Sequence, residues 1–154
     1  MLIQEQVTIN APLSRVWQIF TDIAAWGEWN SVCTDCCFIS GKEITPGACL
    51  AFRLKPYYLP IEIQPKVTKC EAQREVVWEG QRLGVHAVHR FEFLENNGQV
   101  TLVSTEEFGG PLFFLARLLL VHRRLQRLSI RLLQDIKQAS ERCSQGPAPG
   151  EQQS

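Results

Sequence analysis

Two ionisable residues, His89 and Glu106, lie on neighbouring predicted strands and are the best candidates for chemistry in this chain. The predicted strands Val85–Glu95 and Gln99–Phe108 flank Asn97-Gly98, and Asn-Gly is the preferred sequence of a two-residue type I′ hairpin turn. Counting back along both strands from that turn places His89 directly opposite Glu106. The hairpin therefore predicts an imidazole and a carboxyl group close enough to hydrogen-bond.

His89 and Glu106 belong to the apolar face of this hairpin, because side chains alternate between the two faces of a strand. We expect that face to point inward, and we expect the carboxylate to pair with imidazolium so that each favours the charged form of the other. The pair could be a polar anchor or an acid/base pair in an apolar pocket. The alternative is a purely structural cross-strand pair. The apolar members of the inward face are Val85, Ala87, Phe91, Phe93, Val100, Leu102 and Phe108.

The further candidates for the wall of a cavity are Ser104, Phe91, Trp78 and Trp29. Ser104 is predicted opposite Phe91 and could add a hydroxyl group, although buried serines usually bond to backbone. Trp78 alternates with apolar neighbours, so it is either a flat wall for an apolar or aromatic ligand or plain core. Trp29 follows Trp26 on a short helix, where both could line the entrance or simply attach that helix to the sheet.

Metal and cofactor motifs are scarce. Cys33, Cys36 and Cys37 suggest a zinc site, but no second cysteine pair follows at a suitable spacing, so small buried thiols are the preferred interpretation. The sequence contains no nucleophile elbow, phosphate-binding glycine loop, dinucleotide fingerprint or metal-ligand helix motif. We therefore expect neither a metal nor a cofactor.

The overall composition is that of an ordinary globular protein. The 154 residues fit one domain, 45% of them are hydrophobic, and 16 basic residues balance 16 acidic ones. No net field favours nucleic acid, so none is expected as a partner. The first residues lack the pattern of a secretory signal, which indicates a cytoplasmic protein with reduced cysteines. Nothing in the sequence indicates the oligomeric state.

Strand-like segments are bracketed by helices at both ends of the chain. A first strand, Ile3 to Ile9, precedes a helix that begins at Pro12 and a second short helix capped by Asp22. A long helix from Pro111 to about Cys143 carries an apolar stripe, and 144–154 is expected to be a disordered tail after a single domain over 1–143. The strands between them are predicted at Val32–Ser40, Ala48–Lys55, Ile61–Glu71 with an interruption at Pro65, Glu75–Gln81, Val85–Glu95 and Gln99–Phe108.

The long helix also has a basic side. Arg123, Arg124 and Arg127 could make weak contact with an anionic membrane, as basic amphipathic helices do. The alternative is that these arginines form the solvated outer face of a helix that covers the sheet.

The chain resembles the SRPBCC superfamily, which includes START lipid-transfer domains, birch-pollen-type allergens and polyketide cyclases or aromatases. The resemblance covers about 1–143 and implies an α+β helix-grip fold, in which a seven-stranded curved antiparallel sheet wraps around a long C-terminal helix. The motifs that carry it are Ile9-Asn10-Ala11-Pro12 with Val16-Trp17, Trp26 to Asn30, Trp78-Glu79-Gly80, His89-Arg90-Phe91 and Glu106-Glu107-Phe108-Gly109-Gly110.

A fold of this kind can hold an internal cavity, and the first functional hypothesis is binding or carriage of a hydrophobic small molecule. The ligand would be lipid-like or aromatic and polyketide-like, held between the sheet and the C-terminal helix. The alternative is an enzyme of the polyketide cyclase or aromatase type that uses His89 and Glu106 as an acid/base pair. A fold shared by binders, carriers and enzymes does not decide between them.

Overall fold

The computed structural model describes residues 1–54, 61–82, 84–111 and 121–142. A strand comes first, two short helices follow it, the remaining strands succeed one another, and a long helix comes last. In chain order the elements are β1 (Leu2–Ile9), α1 (Leu13–Thr21), a 3₁₀ turn (Ile23–Ala25), α2 (Trp26–Trp29), β2 (Cys33–Ser40), β3 (Cys49–Leu54), β4 (Ile61–Ile63), β5 (Lys66–Glu71), β6 (Glu75–Arg82), β7 (Val85–Asn96), β8 (Gln99–Gly109) and α3 (Val121–Arg142).

The strands form one curved antiparallel sheet in the order β1-β8-β7-β6-β5-β3-β2, and the short β4 pairs with β3 beside this path. The predicted sheet of seven strands is confirmed. The run predicted with an interruption at Pro65 is divided there into β4 and β5, because a proline cannot donate a ladder hydrogen bond. β1 and β2 are the two ends of the path.

The β7–β8 hairpin has the predicted register. Asn97 and Gly98 both have positive φ, 50° and 76°, as a type I′ turn requires. His89 is consequently paired with Glu106 across the two strands. The expected inward face is buried at Phe91 and Leu102, which are both 0% exposed, and half-buried at Val85, Ala87 and Phe108.

The segment after β1 folds as the predicted pair of short helices. Pro12 immediately precedes α1, and Phe20 on this helix is fully buried against the sheet. The Asp22 side chain accepts a hydrogen bond from the backbone of Ala25 and caps the 3₁₀ turn that leads into α2. Trp26 is buried and its Nε1 donates to the carbonyl oxygen of Phe20 at 3.0 Å, which holds α2 against α1.

The helix α3 crosses the concave face of the sheet and contacts β1 and α1 most extensively. Leu133 and Ile136 are buried there, while Leu125 and Leu128, nearer the start of the helix, are half-buried. Asp135 accepts hydrogen bonds from both the backbone nitrogen and the hydroxyl of Ser31, at 2.8 and 2.7 Å. The second half of α3 is therefore fastened to the rest of the fold.

The predicted span of this helix, Pro111 to about Cys143, extends at both ends into residues outside those described, as does the predicted tail over 144–154. Over the described part of the chain, no helix combines the length and apolar character needed to cross a membrane.

Candidate functional site

A cavity of about 60 Å³ lies between the concave face of the sheet and α3. Its wall is mainly apolar, with two tryptophan rings on one side, leucines of α3 on the other, and a polar strip from β7, β8 and α3. The lining residues are Trp26, Val32, Cys33, Phe52, Leu54, Trp78, His89, Glu106, Leu125, Leu128, Ser129 and Leu132.

Three of the predicted site residues, Trp78, His89 and Glu106, line this cavity. Trp78 is 4% exposed and faces inward as expected. Its ring makes an edge contact with the ring of His89, with centroids 5.8 Å apart. The residues predicted from the β7–β8 register and from the alternation in β6 are thus brought together.

The other three predicted residues lie outside the lining. Phe91 is fully buried beneath the cavity wall, and its ring stacks on the ring of His89 with centroids 4.0 Å apart. Ser104 is buried behind His89 and reaches the cavity only through hydrogen bonds. Trp29 is half-buried and contacts the ring of Trp26, so it attaches α2 to the core while Trp26 forms the wall.

The imidazole and the carboxyl group do not hydrogen-bond directly, which corrects the sequence-based expectation. Nε2 of His89 is 3.8 Å from Oε1 of Glu106, beyond hydrogen-bond distance. Nε2 lies instead 2.8 Å from the Ser104 hydroxyl, which is 3.2 Å from the hydroxyl of Ser129 on α3. Ser129 in turn interacts with the carboxyl group of Glu106 and lowers its pKa. We call these four residues the polar chain.

The protons of the polar chain can be arranged in two orders, because each of its hydroxyl groups can donate or accept. With Glu106 ionised and accepting from Ser129, Ser104 donates to Ser129, and a neutral His89 donates from Nε2 to Ser104. With Glu106 protonated, the carboxyl group can donate to Ser129 and the order is reversed.

Burial acts on the two ionisable groups in opposite directions. Desolvation lowers the pKa of His89 to about 3, because the imidazolium loses its hydration. Desolvation also raises the pKa of Glu106 to about 7, and the interaction with the Ser129 hydroxyl opposes that rise only in part. The prediction of a charged pair is therefore wrong, because the cost of removing both ions from water outweighs their electrostatic attraction across 3.8 Å.

Among the lining residues that the sequence analysis did not propose for the site, Ser129 adds a hydroxyl group and Cys33 a thiol. Ser129 is 3% exposed and lies one helical turn after Leu125 and one before Leu133, within the apolar stripe of α3. A serine at such a position is the signal that could have identified it. Cys33 begins β2 and is 2% exposed.

The arginines singled out on the long helix lie away from this wall. Arg123, Arg124 and Arg127 are exposed on α3, and we call them the basic face.

Comparison with known proteins places the fold and the family. The model of the family described as polyketide cyclase / dehydrase and lipid transport matches residues 2–141. The chain belongs to this family. No curated protein sequence matches the chain significantly.

Solved structures of low sequence identity share the fold. The Zhui aromatase/cyclase from a Streptomyces species superposes with a TM-score of 0.81 at 15% identity, covering 94% of this chain and 95% of that one. TTHA0849 from Thermus thermophilus has a TM-score of 0.79 at 12% identity, covering 94% and 99%. A START superfamily protein from Mycobacterium smegmatis has a TM-score of 0.69 at 14% identity, covering 94% and 97%. These likenesses confirm the helix-grip fold.

Proposed function

We propose that this family member binds or carries a hydrophobic small molecule, lipid-like or aromatic, between the sheet and α3. The observation that carries the proposal is the cavity itself, whose wall is apolar apart from His89, Glu106 and Ser129. Small-molecule sites have this composition, with an apolar wall for affinity and a few polar groups for orientation. The family description, which includes lipid transport, supports the same class of ligand.

The size of the cavity requires its wall to move when a ligand enters. Its volume of about 60 Å³ is well below the roughly 300–1,000 Å³ of typical ligand pockets. Leu125 and Leu128 are half-buried near the start of α3, where Gln126 donates a hydrogen bond to Glu5 of β1. Asp135 and its partner Ser31 hold the second half of the helix. We expect the side chains of the two leucines to move outward while the second half of α3 stays in place.

The polar chain favours an uncharged ligand. Burial already disfavours charge on His89 and on Glu106, and the same loss of hydration would disfavour an anionic ligand bound beside them. A neutral ligand with a hydroxyl or carbonyl group can instead join the hydrogen bonds of the polar chain. The expected ligand is therefore an apolar or aromatic alcohol, phenol or ketone rather than a carboxylate.

Isothermal titration calorimetry at pH 7 tests this proposal with two ligands of similar size, the neutral 1-naphthol and the anionic 1-naphthoate. We expect saturable binding of 1-naphthol, weaker or no binding of 1-naphthoate, and loss of 1-naphthol affinity in Trp78→Ala. The control variant is Trp29→Ala, because Trp29 lies outside the lining. Equal affinity for both compounds would contradict the preference for an uncharged ligand. Loss of affinity only in the control would show that the ligand does not occupy this cavity.

Proton transfer to or from the ligand is the second candidate function, favoured by one observation. A carboxyl group with a pKa of about 7 and a neutral imidazole face the same cavity, and a catalytic group works best when its pKa is close to the operating pH. With a poly-β-ketone substrate, Glu106→Gln would then lower turnover by about a hundredfold or more and leave affinity nearly unchanged. Affinity that falls together with turnover would favour the binding function.

A further inference from the structure

A β-bulge in β2 brings two cysteines onto the same face of the strand. In a regular strand, residues three apart point to opposite faces. Between the pairs Thr34↔Arg53 and Cys37↔Ala51, however, two residues of β2 lie opposite one residue of β3. Cys33 before the bulge and Cys36 within it consequently both pack against the core.

The bulge is held by a side-chain contact on the outside of the sheet. Asp35 adopts a positive φ of 54°, a conformation that aspartate tolerates better than most residues. Its carboxylate accepts a hydrogen bond from Arg53 Nη1 at 2.9 Å, and Arg53 belongs to the neighbouring strand β3. The arrangement of the two cysteines is thus part of the fold.

The two thiols differ in environment, although both pack against the same core. Cys33 is buried and lines the cavity, whereas Cys36 is half-buried. Interaction between the two thiols lowers the pKa of Cys36, while the same interaction and burial raise the pKa of Cys33. The accessible sulfur is therefore the better nucleophile, and the buried one is placed to react second.

We propose that Cys33 and Cys36 form a reversible redox pair that closes to an intramolecular disulfide on reaction with a low-molecular-weight disulfide such as glutathione disulfide. The inference goes beyond the proposed function and does not depend on it. Its consequence would be a redox-sensitive wall, since Cys33 lines the cavity.

The reaction has two exchange steps. The Cys36 thiolate attacks one sulfur of glutathione disulfide, which forms a mixed disulfide and releases one glutathione thiolate. Cys33 then loses its proton and attacks the Cys36 sulfur, which forms the Cys33–Cys36 bond and releases the second glutathione. Two protein thiols are oxidised by two electrons, and one glutathione disulfide is reduced to two glutathione thiols.

The surroundings of Cys33 and Cys36 favour a disulfide between them over a disulfide to Cys37 or a metal site. Cys37 follows directly but is exposed, on the opposite face from Cys36. Among the described residues, no group of three histidine, cysteine or acidic side chains lies together as a metal site would need. Two thiols on the same face of one bulged strand are suited to a disulfide.

Mass spectrometry of the full chain tests the pair. Reduced protein is incubated with glutathione disulfide, free thiols are blocked with N-ethylmaleimide, and the tryptic peptide 16–42, which holds all three cysteines of β2, is analysed. We expect one internal disulfide and one maleimide on Cys37. Cys37→Ser should keep the disulfide, Cys36→Ser should lose it, and Cys33→Ala should accumulate glutathione on Cys36.

The variants also separate this proposal from its alternatives. A disulfide that persists in Cys36→Ser, one that disappears in Cys37→Ser, or no disulfide in the unmodified chain at any ratio of oxidised to reduced glutathione would overturn it. Circular dichroism checks that each variant is folded. If Cys33→Ala does not fold, Cys36→Ser and Cys37→Ser decide the question, because neither of those residues is fully buried.

Discussion

Replacing Glu106 by glutamine tests the electrostatics of the polar chain through the stability of the fold. Burial raises the pKa of Glu106 from 4.5 to about 7 in the folded state. Below pH 4.5 the carboxyl group is protonated in both the folded and the unfolded chain, so its ionisation does not lower the free energy of unfolding. As the pH rises towards 7 the unfolded chain ionises first, and the stability associated with this group is lost.

The size of that loss follows from the two pKa values. Between pH 5 and pH 8 the ionisation of Glu106 should lower the free energy of unfolding by about 2 kcal/mol, since each pKa unit corresponds to about 1.4 kcal/mol. The Glu106→Gln variant has no such titration. Its free energy of unfolding should therefore rise, relative to that of the unmodified chain, by about 2 kcal/mol over this range.

Urea denaturation of both proteins at pH 5, 6, 7 and 8 measures the difference directly, because contributions from the other ionisable groups cancel. The matched control is Glu107→Gln, the next residue of β8, which is exposed on the opposite face. Its denaturation curves should follow those of the unmodified chain at every pH. If the difference for Glu106→Gln stays constant or falls as the pH rises, the carboxyl group is not buried in the way described.

Three further predictions concern other parts of the fold. Burial lowers the pKa of His89 to about 3, so stability that is present above pH 6.5 should be lost as the pH falls, by on the order of 3 kcal/mol at pH 4. In urea denaturation, His89→Gln should remove this loss, and the control His86→Gln should not. Gly110 has φ +109° and a Cβ there would overlap the carbonyl oxygen of Gly84, so Gly110→Ala should lower the free energy of unfolding by about 1–3 kcal/mol, and Gly109→Ala by less. The basic face should give salt-sensitive co-sedimentation with phosphatidylserine vesicles, with a binding free energy of about 1 kcal/mol per arginine. Replacing its three arginines by glutamine should abolish this co-sedimentation. Co-sedimentation that is unchanged in that variant would show that these arginines only form a solvated face.

The positions of His89 and Glu106 could be predicted because they depend on a local signal. The Asn97-Gly98 turn determines the hairpin register, and a slip of one residue would turn the apolar face of both strands to solvent. Trp78 could be placed in the same way from the alternation along β6. Where turn chemistry and strand period agree, sequence alone locates a side chain.

Features that depend on packing between distant elements could not be predicted. Ser129 joins the polar chain because α3 rotates that position towards β8, and the rotation of a helix about its axis is determined by tertiary contacts. The bulge at Asp35 carries no glycine to signal its positive φ. The neutral state of His89 depends on the degree of burial, which opposes the attraction expected from proximity to Glu106.

The position of 1-naphthol in a crystal structure of its complex with this chain tests the central claim most directly. We predict that the rings lie between Trp78 and the displaced side chains of Leu125 and Leu128, with the hydroxyl about 3 Å from a member of the polar chain. The second half of α3 should remain where it is. Naphthol bound outside this cavity at saturating concentration, or a cavity that stays closed, would contradict the account.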